Sequence, residues 1–424
     1  MKRSCFCLLL AVMTISFAAH AQDQPPNPAV VHLMEAYSVD QAEAQKRLDL
    51  QFKVAELSDR LNKENDPAYA DMYITHKPRY RVIVRFAGNS NKSRKALVDS
   101  LDPQLRPHVK LRGAKRSRGA TARSLDQLNA ALRQLSIPFT SEYNLETQRF
   151  SVIVEDPSDV ERVESVLPRA RRRDTTVEVG LIPKIEALPT GVQPGDRLYG
   201  GNPIFTSPGG AGGYCSLGYA VSFTLNGVAK RGILTAGHCP DTMYVDFGDH
   251  SVTLSGPVIN KPHRDAPPDG ADGISDKYDY QIWDTTGLTV DNTIAYEDRN
   301  GIPEFPAAGT FRMTSIMTFL NQKAGMIVCK SGDATGITCG EIVNGNATRD
   351  GVAGWIRVSN TQQADISEGG DSGGPWFLYP GTSSTITGVG IHTAGSGTGS
   401  TSTAVYMPID YIDDHIGSVN TIKQ

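Results

Sequence analysis

Apolar residues recur at helical spacing over the first part of the chain, from about residue 22 to residue 70: Val30, Leu33, Met34 and Tyr37, then Leu48, Phe52, Val54 and Leu57, with charges between them. The pattern then changes. Residues 80–86 alternate as a strand, and Ser124 reads as the cap of an amphipathic helix carrying Leu125, Leu128, Ala131, Leu132 and Leu135. A second strand follows at 150–154 and a second helix at 158–166, through Val160, Val163 and Val166. Strand, helix, strand, helix over this span predicts a small α/β sandwich. Residues 181–208 are rich in Pro and Gly and mark a boundary. Beyond them, short β-branched and aromatic runs alternate with Gly, Asn, Asp and Ser turns, which predicts an all-β barrel or sandwich. Only 409–416 reads as a closing helix, and no internal sequence repeat stands out.

Composition sharpens this outline. A chain of 424 residues, 39% hydrophobic and 21% charged, has room for two or three domains with real cores. Lys2-Arg3, an apolar run to Ala19 and Ala19-His20-Ala21 form a secretory signal pattern, so the mature chain is expected to begin near Gln22. That run is short for a membrane span, and no other apolar stretch approaches one. Removing residues 1–21 leaves Cys215, Cys239, Cys329 and Cys339. An even count in an exported chain argues for two disulfides with three possible pairings, of which Cys215–Cys239 with Cys329–Cys339 is the sequence-local one. The cysteine spacings do not suit zinc ligation. Residues 200–424 carry 12 Lys+Arg against 22 Asp+Glu, and residues 1–199 carry 30 against 24. A balance of −10 beside one of +6 suggests that the two parts dock on each other. Nucleic acid is not expected for a secreted chain whose basic tracts lack aromatic interleaving.

The chemistry lies in three motifs. Gly369-Gly370-Asp371-Ser372-Gly373-Gly374-Pro375 has the form of a nucleophile loop, in which glycines allow a tight turn with two N–H groups aimed at one point. Thr235-Ala236-Gly237-His238-Cys239 mounts a histidine beside a half-cystine. Between them, Asp279 sits in the apolar run Tyr278-Asp279-Tyr280-Gln281-Ile282-Trp283, better suited to burial than Asp276 or Asp284. Serine needs a base, and the base needs a carboxylate to fix its tautomer. The order Ser…Asp…His of an α/β-hydrolase is not the one seen here. His250, His263 and His415 have no motif around them. Asp269, Asp272 and Asp276 lie in a Gly-rich loop without EF-type calcium spacing, and neither metal nor cofactor is expected.

Together these motifs resemble the chymotrypsin-fold serine endopeptidases, in particular the bacterial branch that contains α-lytic protease and the streptogrisins. The resemblance covers roughly 197–417 well. It implies an all-β double β-barrel catalytic domain with a short C-terminal helix over residues 199–424. A small α/β propeptide over 22–198 would precede it, after a signal peptide at 1–21. His238, Asp279 and Ser372 would be the catalytic triad, with the oxyanion hole at the N–H groups of Gly370 and Ser372. Residues 328–340 are similar to the branch's disulfide loop, where the basic residue after the first cysteine, here Lys330, would pair with Asp371. Gly390-Ile391-His392-Thr393-Ala394-Gly395 matches the substrate-pairing strand. His392 there is similar to glutamyl endopeptidases, with Ser367 and Thr393 as further donors and Gly395 as a backbone partner. An apolar or small-residue pocket is the competing expectation. The loop before the nucleophile lacks the branch's usual cysteine, and Glu368 would repel an acidic substrate if it pointed inward. The expected product is a secreted, extracellular or periplasmic, monomeric serine endopeptidase acting on proteins or peptides and bound by its own propeptide. A protease-fold binding protein without catalysis is the alternative from another class.

Overall fold

The computed structural model describes residues 28–88, 97–184, 198–208, 213–246, 251–261, 277–285, 288, 290–295, 310–349, 351–360, 365–380, 385–412 and 420–421. The expected signal segment and the Asp269–Asp276 loop lie outside these residues, as do His250, His263 and His415.

Two helices open the described chain, α1 (Pro28–Tyr37) and α2 (Gln41–Glu64). Asp40 caps α2 by accepting from the Glu43 N–H at 2.8 Å, and Asn65 ends it in the left-handed region at φ 49°. Next come β1 (Tyr69–Thr75), β2 (Arg81–Ala87) and β3 (Val109–Ala114), and then β4 (Thr140–Asn144), β5 (Arg149–Val154) and β6 (Thr175–Val179). In each trio the first two strands are antiparallel and the third is parallel to the second. The front part therefore contains two α/β units of like connectivity where the hydrophobic pattern predicts one. Its helix runs Arg118–Arg133, so Ser124 lies inside the helix and Ser117 stands at the N-cap position.

The rest is a double β-barrel. After β7 (Leu198–Gly200), which pairs in parallel with the later strand over Val290–Ala295, the strands of the first barrel are β8 (Pro203–Phe205), β9 (Tyr214–Ser216), β10 (Ala220–Leu225), β11 (Val228–Thr235), β12 (Thr242–Asp246), β13 (Ser251–Ser255), β14 (Ile259–Lys261) and β15 (Tyr280–Asp284). Two sheets, β14-β15-β11-β10 and β13-β12-β8-β9, share one core through Ile204, Ile233, Met243, Val245 and Trp283. Asn226-Gly227 links β10 to β11 with both residues at positive φ, the conformation a two-residue hairpin turn requires.

After β16 (Val290–Ala295) and β17 (Thr310–Ile316) come β18 (Ile327–Gly332), β19 (Gly336–Arg349), β20 (Val352–Ser359), β21 (Pro375–Leu378), β22 (Thr385–Ser396) and β23 (Thr403–Pro408). Their pairings close on themselves in the order β18, β19, β20, β23, β22, β21 and back to β18. This closed six-stranded barrel has no free edge within the ring. A 3-10 turn at Ile409–Ile412 begins the expected closing helix, whose remainder lies outside the described residues. The segment Asn420–Thr421 pairs back onto β10.

The front part docks on this second barrel. Ala29, Val30, Leu33, Ala44 and Leu48 share a core with Ile327, Ile337 and Trp355, while Val54, Leu57 and Leu61 join one with Met326 and Ile342. β4 adds to β19 as an antiparallel neighbour, with Ser141 opposite Thr348. Among the described residues two ion pairs cross the contact, Lys323–Asp71 at 2.7 Å and Arg357–Glu142 at 2.7 Å. In both, the acid comes from the net-basic part and the base from the net-acidic part. Net charge thus says nothing of the sense of these contacts. No described helix is long and apolar enough to cross a membrane.

Candidate active site

The β11–β15 ladder sets the first half of the site. Thr235 pairs with Gln281, so the turn after β11 and the residue before β15 meet at the same end of the sheet. Cys239 in that turn is bonded to Cys215 on β9, and Cys329 to Cys339 across β18 and β19, the sequence-local pairing. Asp279 is fully buried and accepts twice from His238: from its backbone N–H at 3.0 Å and at Nδ1, 2.9 Å from Oδ2. Gln281, two residues on and so on the same strand face, donates Nε2–H to the carbonyls of Ala236 and Cys239 at 3.1 and 2.9 Å. That brace of the histidine turn is not visible in the motif. Only its i+2 spacing from Asp279 could have signalled it.

The Ser372 loop sets the second half. Gly370 (φ 106°) and Gly373 (φ 88°) occupy backbone conformations that favour glycine, and a Cβ on Gly370 would stand 2.2 Å from the Tyr214 ring. The loop is pinned by the Ser216 N–H to the Ser372 carbonyl at 2.7 Å and by the Gly373 N–H to the His392 carbonyl at 2.9 Å. Ser372 Oγ then lies 2.9 Å from His238 Nε2. With Nδ1 facing a carboxylate, the ring proton belongs on Nδ1, which leaves Nε2 to accept from the serine hydroxyl. The N–H groups of Gly370 and Ser372 have no acceptor among the described residues.

Asp371 turns the opposite way, into the second barrel. Its carboxylate is fully buried and is met by Lys330 Nζ at 2.7 Å, Thr335 Oγ1 at 2.8 Å and the N–H groups of Ala334, Thr335 and Glu368 at 3.0–3.2 Å. Burial pushes its pKa up, but the Lys330 ammonium and these donors outweigh it and hold the carboxyl below its ordinary value. The Glu368 side chain is largely exposed, and the partial burial of its carboxyl, with the neighbouring carboxylates of Asp365 and Asp371, raises its pKa.

His392 lies on β22, almost wholly buried. Its pKa is pushed down to about 3, first by burial and then by the Lys330 ammonium. Its Nδ1 accepts from the Trp376 indole N–H at 3.3 Å, so the neutral ring keeps its proton on Nε2. Trp376 stacks on Tyr406 with centroids 5.1 Å apart, and the Tyr406 hydroxyl donates to Gln322 at 2.7 Å. Trp376, Tyr406 and Gln322 carry no motif. Trp376 does follow the nucleophile loop directly, and the register Trp376↔Gly390, His392↔Tyr406 places the three rings together. Ser367 Oγ and Thr393 Oγ1 are buried with no hydrogen-bond partner among the described residues. Gly395 is paired with the chain itself: its N–H donates to the Lys184 carbonyl at 3.1 Å, and its carbonyl accepts from the Lys184 N–H at 3.0 Å. Among the described residues, no group of three His, Cys, Asp or Glu could hold a metal ion.

No family model matches the chain. Among solved structures it is similar to protease A of Thermobifida fusca, at 26% identity over 54% of this chain and 100% of that chain, with a TM-score of 0.35. It is also similar to a chymotrypsin of Cellulomonas bogoriensis, at 24% over 54% and 100%, TM-score 0.35. A third is a glutamic acid specific serine protease described as using a histidine triad in substrate binding, at 26% over 53% and 100%, TM-score 0.36. These neighbours are serine proteases of the chymotrypsin fold.

Proposed function

We propose that the chain is a secreted serine endopeptidase that cuts peptide bonds through an acyl-enzyme on Ser372 and prefers Glu before the scissile bond. The observation that carries the reading is the continuous hydrogen-bonded run from Asp279 through His238 to Ser372 Oγ. His238 Nε2 takes the serine proton as Oγ attacks the carbonyl carbon, and the imidazolium is stabilised by Asp279. The Gly370 and Ser372 N–H groups receive the oxyanion, each worth about 3 kcal/mol in the transition state. His238 then protonates the leaving amine, and water repeats the sequence to release the acid.

The pocket chemistry supports the acidic preference. A buried carboxylate needs donors to replace lost water. His392 offers Nε2–H, and the unpartnered Ser367 and Thr393 hydroxyls offer two more. Residues 22–198 serve as folding segment and inhibitor, a reading supported by the shared cores and by β4 joining β19. The N-terminal signal pattern and the two disulfides suit an oxidising compartment. The substrates are proteins or peptides, and the enzyme works as a monomer without cofactor.

A covalent serine-directed probe should label the wild-type protein and leave Ser372→Ala unlabelled, with peptide turnover falling by about 10⁶-fold. Normal turnover by Ser372→Ala would end the assignment.

A further inference from the structure

Between the front part and the second barrel lies a cavity of about 160 Å³. An apolar protein cavity of about 150 Å³ takes up benzene, so a ligand of roughly that size fits. The front part lends Asp71, Arg118, Leu125 and Leu145 to the wall, and the barrel part lends Phe319, Lys323 and Val343. Leu320 also lines it and is 47% exposed, an apolar side chain left open to solvent. Charge on this wall is unequal, because two cations, Lys323 and Arg118, act on one acid, Asp71. Asp71 Oδ1 receives the Lys323 ammonium at 2.7 Å, the Met72 N–H at 2.8 Å and the Tyr69 hydroxyl at 3.3 Å. Asp71 Oδ2 takes no hydrogen bond from a described residue. Arg118 meets neutral groups, donating to the Asn62 side-chain oxygen and lying 5.0 Å over the Tyr69 ring. Lys323 carries the mark of the surplus: burial lowers its pKa, Asp71 raises it, Arg118 lowers it again, and it stays below its ordinary value. Gln322, on the same wall, spends Nε2 on the Met317 and Val389 carbonyls and Oε1 on Tyr406. Recognition therefore falls to the charged groups and the apolar lining.

We propose that this cavity binds a small carboxylate with a branched aliphatic tail, its carboxylate on the Arg118 guanidinium and its tail against Leu125, Leu145, Phe319 and Val343. A guanidinium offers a carboxylate two parallel N–H donors, and a buried site with surplus positive charge favours an anion. A short-chain fatty acid and a free aliphatic amino acid both carry this chemistry. The amino acid adds an ammonium, for which Asp71 Oδ2 is the acceptor. Because the wall is drawn from both parts of the chain, the ligand binds the docked form alone. At a concentration of about 100 Kd it lowers the undocked population about a hundredfold. None of these binding groups belongs to the Ser372 site, so the cavity keeps its ligand whether or not that site is catalytic.

The test is titration calorimetry on the full chain, prepared as Ser372→Ala so that it stays whole, with isocaproate, L-leucine, isoamylamine and acetate as probes. The two branched acids should bind with a Kd of about 1 mM or tighter. The amine lacks the carboxylate and acetate lacks the tail, so each should bind at least about tenfold more weakly. Leucine tighter than isocaproate assigns the site to amino acids, and the reverse order assigns it to fatty acids. Arg118→Gln should weaken both acids by about tenfold or more. Ala122→Phe, at an exposed helix position on the cavity wall, should do the same by filling space while leaving the charges in place, and it serves if Arg118→Gln does not fold. The proposal is overturned if neither acid binds, if the amine binds as well as the acids, or if acetate binds as well as isocaproate. An affinity unchanged in either folded variant overturns it too.

Discussion

Two buried polar clusters flank Ser372, and they differ in how completely they are bonded. On one side the Asp371 carboxylate has five donors around it, one of them the Lys330 ammonium. On the other side, His392 spends Nδ1 on Trp376, while the hydroxyls of Ser367 and Thr393 bond to no described residue. A saturated buried cluster has nothing left to offer a ligand and works as scaffold. An undersaturated one carries a standing desolvation cost that a matching ligand can relieve. On the function proposed above, the contrast separates the residues that shape the loop from those that would read a substrate.

The sharpest way to break this comparison is Lys330→Met, which strips Asp371 of its only cationic partner among these five donors. The expected loss is about 3–5 kcal/mol of stability, read from the denaturant midpoint, because a buried carboxylate is left without its counter-charge. An unchanged midpoint would refute the scaffold role. Thr335→Val removes one hydroxyl from the same saturated cluster and should cost about 1–3 kcal/mol. Thr393→Val deletes an equally buried hydroxyl that has no partner. It should leave stability unchanged or slightly raised, yet lower kcat/KM for Glu peptides by about tenfold relative to Leu peptides. If wild type already favours Leu, the hydroxyls and His392 are packing groups. Trp376→Phe keeps the stack on Tyr406 but frees His392 Nδ1, and should blunt Glu selectivity by a smaller factor, about threefold.

A separate set of effects concerns pH and the docked front part. His76 Nε2–H donates to the Gly325 carbonyl at 2.8 Å, and its pKa is pushed down to about 4, chiefly by burial. The separated form binds a proton near 6.5, so this contribution to docking is fully present above that value and is lost as pH falls toward 4. Glu341, hydrogen-bonded by Tyr37, has its pKa raised by burial to about 7. Its contribution is present below its ordinary value of 4.5 and is lost as pH rises through 7. Binding of the cut front part to the barrels, followed from pH 4 to 8, should show both limbs. His76→Gln should flatten the acid limb and Glu341→Gln the alkaline one. A profile indifferent to both substitutions would remove these groups from the interface.

What the sequence made legible follows from where information is local. The nucleophile loop, the histidine turn and the acid between them are short runs whose residue types are dictated by backbone and proton chemistry, so they could be read singly. The alternation beyond residue 208 announced strands because half-buried strands have period two. Ladder registers are different. Gln281, Trp376, Tyr406 and Gln322 act through partners 16 to 84 residues away, and nothing local marks them. The doubled α/β unit escaped notice because β3 and β4 hold few apolar residues, and β1 buries residues on both faces and so gives no clean period-two signal. Bulk charge misled about the sense of the ion pairs, since Asp71 and Glu142 bond to Lys323 and Arg357 against the net balance. A contact is decided within a few ångströms, and a sum over half a chain does not see it.

The addition of β4 to β19 ties the later life of the molecule to its assembly. While Ser141 faces Thr348, that end of β19 is an interior strand. Were β4 to withdraw, the same backbone would become a bare edge able to recruit a strand from a neighbour, a common seed of self-association. The residue next to Thr348 on that edge is Arg349, whose guanidinium lies over the Trp355 ring at 5.9 Å. A positive charge at an abandoned edge repels a second copy of itself.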